Sequence, residues 1–336
     1  MGYRVGQTEH SSAQIGLSVL DASPRIAVLI PCFNEELTIA HVIDRFHAEL
    51  PEARIYVFDN NSTDQTVERA RENGAIILHE RRQGKGFVVQ SMFREINADI
   101  YVMVDGDGTY PAASVHALLQ PVLTNDADMV IGSRLGPASQ SQFGLMNRLG
   151  NNIFLLLTRA LFGAHINDML SGYRVFSRNI VKQLPLLSPG FEIETELTIK
   201  ALERGYRVIE LPVNLSNRPE GSYSKIRHVH DGLLIMRMIF SLARDYKPLT
   251  VFGTIGLLFV ATGFIPGTIV ILEFLRTGLI SRLPSVILAV ALFLSGLICG
   301  MVGLVLHTVA RRFQELDLQL RVLGREFSDV DREKEQ

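Results

Sequence analysis

Two stretches near the carboxyl end constrain the chain more than any other feature. Leu249–Leu272 and Pro284–Ala310 each run for more than twenty residues without one Asp, Glu, Lys or Arg. At about 1.5 Å of rise per helical residue, either can cross a hydrocarbon layer of about 30 Å. Arg244 and Lys247 precede the first stretch, Arg311 and Arg312 follow the second, and the short connection holds only Glu273, Arg276 and Arg282. This bias predicts an integral protein of the cytoplasmic (inner) membrane, with both termini and everything before residue 248 on the cytoplasmic side.

The remaining residues read as soluble. A length of 336 leaves room for about two domains. With 33 basic against 35 acidic residues, nothing suggests a nucleic-acid partner. Cys32 and Cys299 form no disulfide framework, and Met1–Ser23 lacks the apolar core of a signal peptide. Residues 1–24 are therefore expected to be a flexible tail.

From Arg25 onward, short apolar runs alternate with helical periodicity. "RIAVLIP" reads as a buried strand, and Ile39, Val42, Ile43, Phe46 and Leu50 then recur at helical spacing. "RIYVFD", a helix over 65–73, "GAIILHE", a helix after Gly86, "DIYVMVD", a helix after Pro111 and "ADMVIGS" continue the alternation. "YRVFS", the helix "EIETELTIKALERG" and the strand "YRVIELPVNL" complete it. Such a chain predicts an α/β domain over 25–228, its sheet mostly parallel and covered on both faces. Ligands bind beyond the carboxyl ends of the strands in these sheets. The polar clusters "PCFNEE", "DNNSTD" and "DGDGTYP" all fall at such ends.

Residues 229–247 carry Leu233, Ile235, Met236, Ile239, Phe240 and Leu242 with Arg237 and Arg244 among them, which suits an interfacial helix or a core-packed one. The two membrane helices are expected within 248–310. In the last segment, 311–336, Phe313, Leu316, Leu320, Leu323 and Phe327 form a short heptad seam that either pairs subunits in a homo-oligomer or lies on lipid.

"DGDGTYP" decides the chemistry. An Asp-x-Asp alone is commonly a solvated turn, but Asp105 ends an apolar strand and so stands at the mouth of the sheet. Asp105 and Asp107 suit a hard divalent ion, Mg²⁺ or Mn²⁺, which takes oxygen ligands and shares them with substrate phosphates. Lys85 in "RRQGKG", Arg134 in "IGSR", and Arg218, Ser222, Ser224 and Lys225 in "NRPEGSYSK" supply the elements of a phosphate cradle. His228 and His230 read as structural rather than as a catalytic base.

"PCFNEE", "DNNSTDQT", "GKG", "DGDGTYP", "GSR", "DMLSGYRVFS", "FEIETEL" and "RPEGSYSK" occur in this order over Ile26–Arg227. The series resembles family 2 glycosyltransferases of the dolichyl-phosphate mannose synthase and bacterial polyprenyl-phosphate type. The resemblance implies a GT-A fold, a Rossmann-like sheet that binds a nucleotide-sugar, followed by a transmembrane helical hairpin. It assigns Pro31, Phe33 and Glu35 to a first nucleotide-contacting loop, and Phe58, Asp59 and Asn60 to a second. Asp105, Gly106 and Asp107 match the metal motif. Arg134, Arg218 and Lys225 match phosphate-holding positions, Asp168 the carboxylate beside the acceptor, and Glu196 the acidic residue of the next helix. Asn60 stands where the family usually has a second Asp, and Thr109 where some relatives have a metal-coordinating glutamine. The implied reaction is inverting transfer of a sugar from a UDP- or GDP-sugar to a polyprenyl phosphate. A processive polysaccharide synthase shares the early motifs, but it normally has more spans and a tryptophan-containing motif, and this chain has no tryptophan. A non-catalytic membrane scaffold is the alternative from another class, and the intact Asp105/Asp107 pair argues against it.

Overall fold

Alternation of apolar side chains fixes the centre of the domain. β1 (Ile26–Cys32) turns Ala27 and Leu29 to one face and Val28, Ile30 and Cys32 to the other, and all five are buried. A strand buried on both sides requires cover on both sides. The computed structural model, which describes residues 23–134, 145–216 and 228–334, supplies it. α1 (Ile39–Glu49) follows β1 and buries Ile39, Val42, Ile43 and Phe46, as the periodicity predicts. Next come β2 (Arg54–Asp59), α2 (Thr66–Glu72), β3 (Ile76–His79), α3 (Lys85–Glu95), β4 (Ile100–Met103), α4 (Val115–Leu123) and β5 (Met129–Ser133). The second half holds α5 (Leu145–Phe162), β6 (Arg174–Ser177), α6 (Arg178–Gln183), α7 (Ile193–Glu203), β7 (Val208–Pro212) and α8 (His228–Tyr246).

The seven strands lie in the order β3-β2-β1-β4-β6-β5-β7. β1, β2, β3 and β4 are parallel, as are β5 and β7, but β6 runs antiparallel to both its neighbours. The expectation of a mostly parallel GT-A sheet holds, and the reversed strand is what the sequence pattern did not disclose. Met103 faces Arg174 across the β4–β6 pair. The loop that enters β6 is therefore delivered to the edge where β4 ends. A parallel strand would have carried it to the opposite edge.

Helix α5 was not anticipated. Leu156 and Ile153 are exposed while Phe154 and Thr158 are buried, so its apolar stripe is too broken to read. α8 bears out the core-packed alternative for one face of residues 229–247. Ile235, Ile239 and Leu242 enter the core beneath α7, whereas Leu233 and Phe240 face outward.

α9 (Pro248–Thr277) begins on a proline, which suits a first helical position, and stops at Gly278 in left-handed conformation. α10 (Leu283–Lys334) returns beside it. It runs without interruption through residue 311, so the expected tail over 311–336 continues the second span as one helix to Lys334, no proline or glycine breaker standing at the boundary. Three close approaches join the pair. A Cβ on Gly256 would lie 2.7 Å from the Gly296 carbonyl, one on Gly303 2.9 Å from Phe252, and one on Gly263 3.1 Å from Leu292. In the most apolar windows of the two helices only 11% and 17% of residues are buried by protein. A soluble core helix would be mostly covered, so these helices require another apolar solvent. Phe313, Leu316 and Leu320 of the heptad seam are also exposed.

Truncating Ile239, wholly buried in α8, should cost about 2–5 kcal/mol in chemical denaturation, whereas Phe240→Ala should cost less than about 1 kcal/mol. Equal losses would show that α8 is not docked by this face.

Candidate active site

The chain order reverses between β1 and β4, which is where open α/β sheets leave a crevice at their carboxyl edge. Residues 33–38 leave β1 at this edge and residues 104–111 leave β4. The Thr38 hydroxyl donates to the Gly106 carbonyl at 2.7 Å and joins the two loops. Gly106 has no space for a side chain, because a Cβ would lie 2.8 Å from Cys32 Sγ. The glycine between the two aspartates is thus required by packing against β1.

Strand parity places Asp105 on the face of Tyr101 and Met103, which α3 and α7 cover. There Lys85, the first residue of α3, reaches Asp105 Oδ1 at 2.6 Å and Glu194 Oε1 of α7 at 2.6 Å. Its ammonium is nearly buried, with the side chain 11% exposed. Burial alone would lower its pKa, but the two carboxylates more than offset that and raise it above the usual lysine range. "GKG" is therefore not a flexible solvated loop. A Cβ on Gly86 would lie 2.0 Å from the Ser188 carbonyl and one on Gly84 2.3 Å from the Pro189 carbonyl. Both glycines let 84–86 press against 188–189, and that contact aims Lys85 inward.

Asp107 Oδ1 accepts from the Thr109 amide at 3.1 Å and from its hydroxyl at 2.7 Å. Thr109 thus orients this carboxylate. Across the edge, Arg134 follows β5 and forms a two-pronged pair with Asp168, Nε to Oδ2 and a terminal nitrogen to Oδ1, both at 2.8 Å. The Arg134 amide also donates to Asp168 Oδ2 at 2.9 Å. Burial works against the Asp168 anion, but the guanidinium and backbone donors hold its pKa below the ordinary carboxylate value. Glu210 receives the amides of Asn167 and Asp168 and fixes the loop beneath.

Residues 168–173 complete the wall. The Gly172 amide donates to the Tyr110 hydroxyl at 3.0 Å, and Ser171 Oγ donates to the Gly132 carbonyl at 2.5 Å. Burial raises the Tyr110 pKa; the charges of Arg134, Asp105 and Asp168 all act on its hydroxyl, so these groups share one region. Gly172 sits directly on Asp105, where a Cβ would fall 2.3 Å from Oδ2.

The second loop expected to touch nucleotide is tied closely into the fold. Phe58 lies wholly in the core. Asn60 donates to the carbonyls of Glu80 and Arg82 and accepts from the Gly84 amide at 2.8 Å. An aspartate could not donate to those carbonyls, which gives the unusual Asn60 a physical reason. Asp59 accepts from the Ser62 amide and faces His79 Nδ1 at 3.2 Å. Pro31, Phe33 and Glu35 are partly exposed at the end of β1, and the Glu35 amide donates to Thr66 Oγ1 at 2.8 Å.

Glu196, assigned to the acceptor by resemblance, is turned elsewhere. Its carboxylate accepts from the amides of Leu187 and Ser188 and pairs with Lys200 at 2.5 Å. Glu194, one helical step earlier and unremarked in the sequence, is the acid that reaches Lys85. Glu194 and Glu196 both lie in the first turn of α7, where a helix amino terminus favours an anion, so that position does not separate them. Arg218, Ser222, Ser224 and Lys225 lie outside the described residues. His230 is exposed beside Asp231, away from these groups' contacts.

Asp105 and Asp107 suit a hard divalent ion by donor type and by their place at an open strand end. No group of three or more His, Cys, Asp or Glu exists among the described residues. The remaining ligands would come from phosphate oxygens and water, the pattern expected of Mg²⁺ or Mn²⁺ rather than of zinc.

The model of "Glycosyl transferase family 2" matches residues 27–184. Glycosyltransferase AglJ of Haloferax volcanii is 36% identical over 239 residues, covering 71% of this chain and 78% of AglJ. The chain belongs to glycosyl transferase family 2. Dolichyl-phosphate hexose transferase of the same organism is 31% identical, covering 57% of this chain and 83% of the relative. Among solved structures, glucosyl-3-phosphoglycerate synthase of Mycobacterium tuberculosis with Mn²⁺, uridine-diphosphate-glucose and phosphoglyceric acid is 26% identical, with a TM-score of 0.52 over 71% of this chain and 85% of that one. The family 2 assignment, the GT-A sheet and the two apolar helices agree with the sequence reading. The chain is accordingly a glycosyltransferase.

Gly172→Ala should push the Asp105 carboxylate aside and lower kcat/KM for sugar transfer by about 100-fold. Its thermal midpoint should move little; unchanged kcat/KM would show that the contact does not set Asp105. Glu80 gives a pH test of the loop that carries Lys85. Its hydrogen bonds to Arg82 and Ser91 hold its pKa at about 2, below an ordinary 4.5. The stabilisation is present above the unfolded value and disappears as pH falls toward the folded one. Glu80→Gln should therefore lower stability at neutral pH, with the deficit shrinking between about pH 4.5 and about pH 2 in urea melts.

Proposed function

We propose that this family 2 glycosyltransferase carries a hexose from a nucleotide-sugar to the phosphate of a polyprenol at the cytoplasmic face of the membrane, with inversion. The observation that carries the reading is the joint between site and span. Arg204, which follows α7, pairs with Asp317 of α10 at 3.4 Å, and Lys247 pairs with Glu203 at 3.0 Å. The α7 that brings Glu194 to the site is thus tied to the same end of the helical hairpin. A prenyl tail stays in the bilayer, so its phosphate sits at headgroup height, where a tethered enzyme meets it at high effective concentration. The relatives named for dolichyl-phosphate transfer and for uridine-diphosphate-glucose support this acceptor and favour a uridine nucleotide.

The acceptor explains why no obvious base stands among the described residues of the site. A phosphate monoester has a second pKa near 6 and is largely dianionic at neutral pH, so it attacks without first losing a proton. Charge is the harder problem, because acceptor phosphate and leaving diphosphate repel. A divalent ion held by Asp105 and Asp107 would supply neutralisation of the leaving diphosphate. Arg134 offers a guanidinium that Asp168 fixes in place, so it meets a phosphate without reorganising. Asp168 acts through Arg134 in this scheme, in place of the direct contact with acceptor or sugar expected from the sequence. Lys85 adds a second buried cation beside the leaving group.

The donor is found by screening radiolabelled UDP-glucose, UDP-N-acetylglucosamine and GDP-mannose against undecaprenyl phosphate in membranes containing the enzyme. One donor should give a chloroform-soluble product that chelation abolishes. Asp107→Ala should lower the rate by about 10³-fold and Arg134→Lys, which loses the two-pronged geometry, by about 10²-fold. Full glycolipid synthesis after exhaustive chelation would overturn the metal assignment. Transfer only to soluble hydroxyl acceptors would overturn the lipid one.

A further inference from the structure

The oxygen atoms of Glu194 are unequal. Oε1 holds the Lys85 ammonium at 2.6 Å, whereas Oε2 is buried and has no hydrogen-bond partner. The residue as a whole is 3% exposed. A carboxylate oxygen removed from water without a donor costs free energy that a protein rarely leaves uncompensated. Two neighbours explain why the cost is tolerated. The amino end of α7 favours an anion in its first turn. Arg174, fully buried, places its charge within electrostatic reach of Glu194.

On the other side of the ammonium, Asp105 Oδ1 is also 2.6 Å from Nζ. Lys85 therefore sits midway between a carboxylate that a divalent ion needs and a carboxylate with one oxygen in reserve. A lysine ammonium is a compact charge with three rotatable donors, so a small torsional change can move it from one partner to the other. A divalent ion and an ammonium cannot share Asp105 at contact distance without repulsion.

We propose that Lys85 is a built-in competitor of the divalent ion, resting on Asp105 in the free enzyme, and that Glu194 is the alternative seat that receives the ammonium when Asp105 turns to the metal. Glu194 is then a positioning residue: it never touches substrate and sets metal affinity through Lys85. In its second seat Lys85 bonds to both oxygens of Glu194, which satisfies Oε2, and its third N–H turns toward the diphosphate. The device couples donor binding to metal binding, since the enzyme holds its own cation until nucleotide and metal arrive together. The proposal deepens the reading above and rests on Asp105 and Asp107 as metal ligands.

The test is Mn²⁺ binding to the full-length protein in detergent without nucleotide, read from the free Mn²⁺ signal in electron paramagnetic resonance. Glu194→Gln, which keeps shape but weakens the second seat, should lower Mn²⁺ affinity on the order of tenfold. Lys85→Met, which removes the competitor, should raise it on the order of tenfold. In the double variant the loss at Glu194 should vanish, because no ammonium remains to be seated. Glu194→Asp should recover part of the wild-type affinity. A purely structural role for the pair predicts the opposite sign for Lys85→Met, since an unsupported Asp105 would bind more weakly, and that result overturns the proposal. So does equal affinity across the wild type and the single variants. Either failure, with Mn²⁺-dependent transfer intact and Asp107→Ala still unable to bind the ion, leaves the glycosyltransferase reading standing. Loss of metal dependence in the wild type would remove that reading instead.

Discussion

The pairing of β6 against β4 in the reverse direction is the constraint from which the site follows. Because Met103 meets Arg174, the residues just before β6 and just after β4 share one edge. Tyr173, Gly172, Ser171 and Asp168 are thereby set against Asp105, Tyr110 and Arg134. Backbone contact at Gly172 then fixes the Asp105 carboxylate from one side while Lys85 fixes it from the other. β6 lies between β4 and β5 in the sheet and antiparallel to both, and α5 lies in the chain between β5 and β6. One reversed strand converts three separate loops into a single wall.

Much of this was legible beforehand. Strands β1, β2 and β4 are continuous apolar runs ending in polar clusters, and their parity put Asp105 at the sheet's mouth. The α1 positions were read one by one, because a 3.6-residue stripe over five positions has few alternatives. The spans were plain, since no charged residue interrupts them. What stayed hidden depended on contacts between distant segments. Nothing local in "RVFS" tells whether it runs with or against β4. Nothing in "FEIETEL" ranks Glu194 above Glu196, two acids on one helix whose roles differ because one faces α3 and the other caps 187–188. Asn60 belongs to the same class. It looked like a departure from a nucleotide-reading pattern and is instead the hub that pins the 80–84 loop, whose ends no short motif could reveal.

The membrane attachment is continuous with the catalytic fold. α8 shares its Ile235–Ile239–Leu242 face with the domain core and leads through Lys247 directly into α9. The exposed Leu233 and Phe240 on its outer side lie on the approach to the spans, which suits a helix with one face in protein and the other toward an interface. Arg204–Asp317 and Lys247–Glu203 then tie α10 and the start of α9, at one end of the hairpin, back to α7. Each exposed ion pair contributes little stability alone. Their value under the proposed function is angular, because a phosphate at fixed headgroup depth would be reached only by a site held at matching height.

Charge balance shows what a divalent ion would add to this site under the proposed reaction. Lys85, Arg134 and Arg174 are three positive groups packed around Asp105, Asp107, Asp168 and Glu194, which are four negative ones. The site is thus close to neutral, with one negative charge in excess, and this limits the desolvation cost of folding it. With that negative charge in excess, it could not hold the two phosphate groups of the proposed reaction close together unaided. Arg134 is committed to Asp168, and Arg174 is committed to backbone carbonyls at Ser171 and Met169 and to the Thr198 hydroxyl. Neither can be spared without leaving a buried partner unpaired. On the proposed reading, a divalent ion arriving with the nucleotide would supply the missing positive charge while the phosphates are present to balance it.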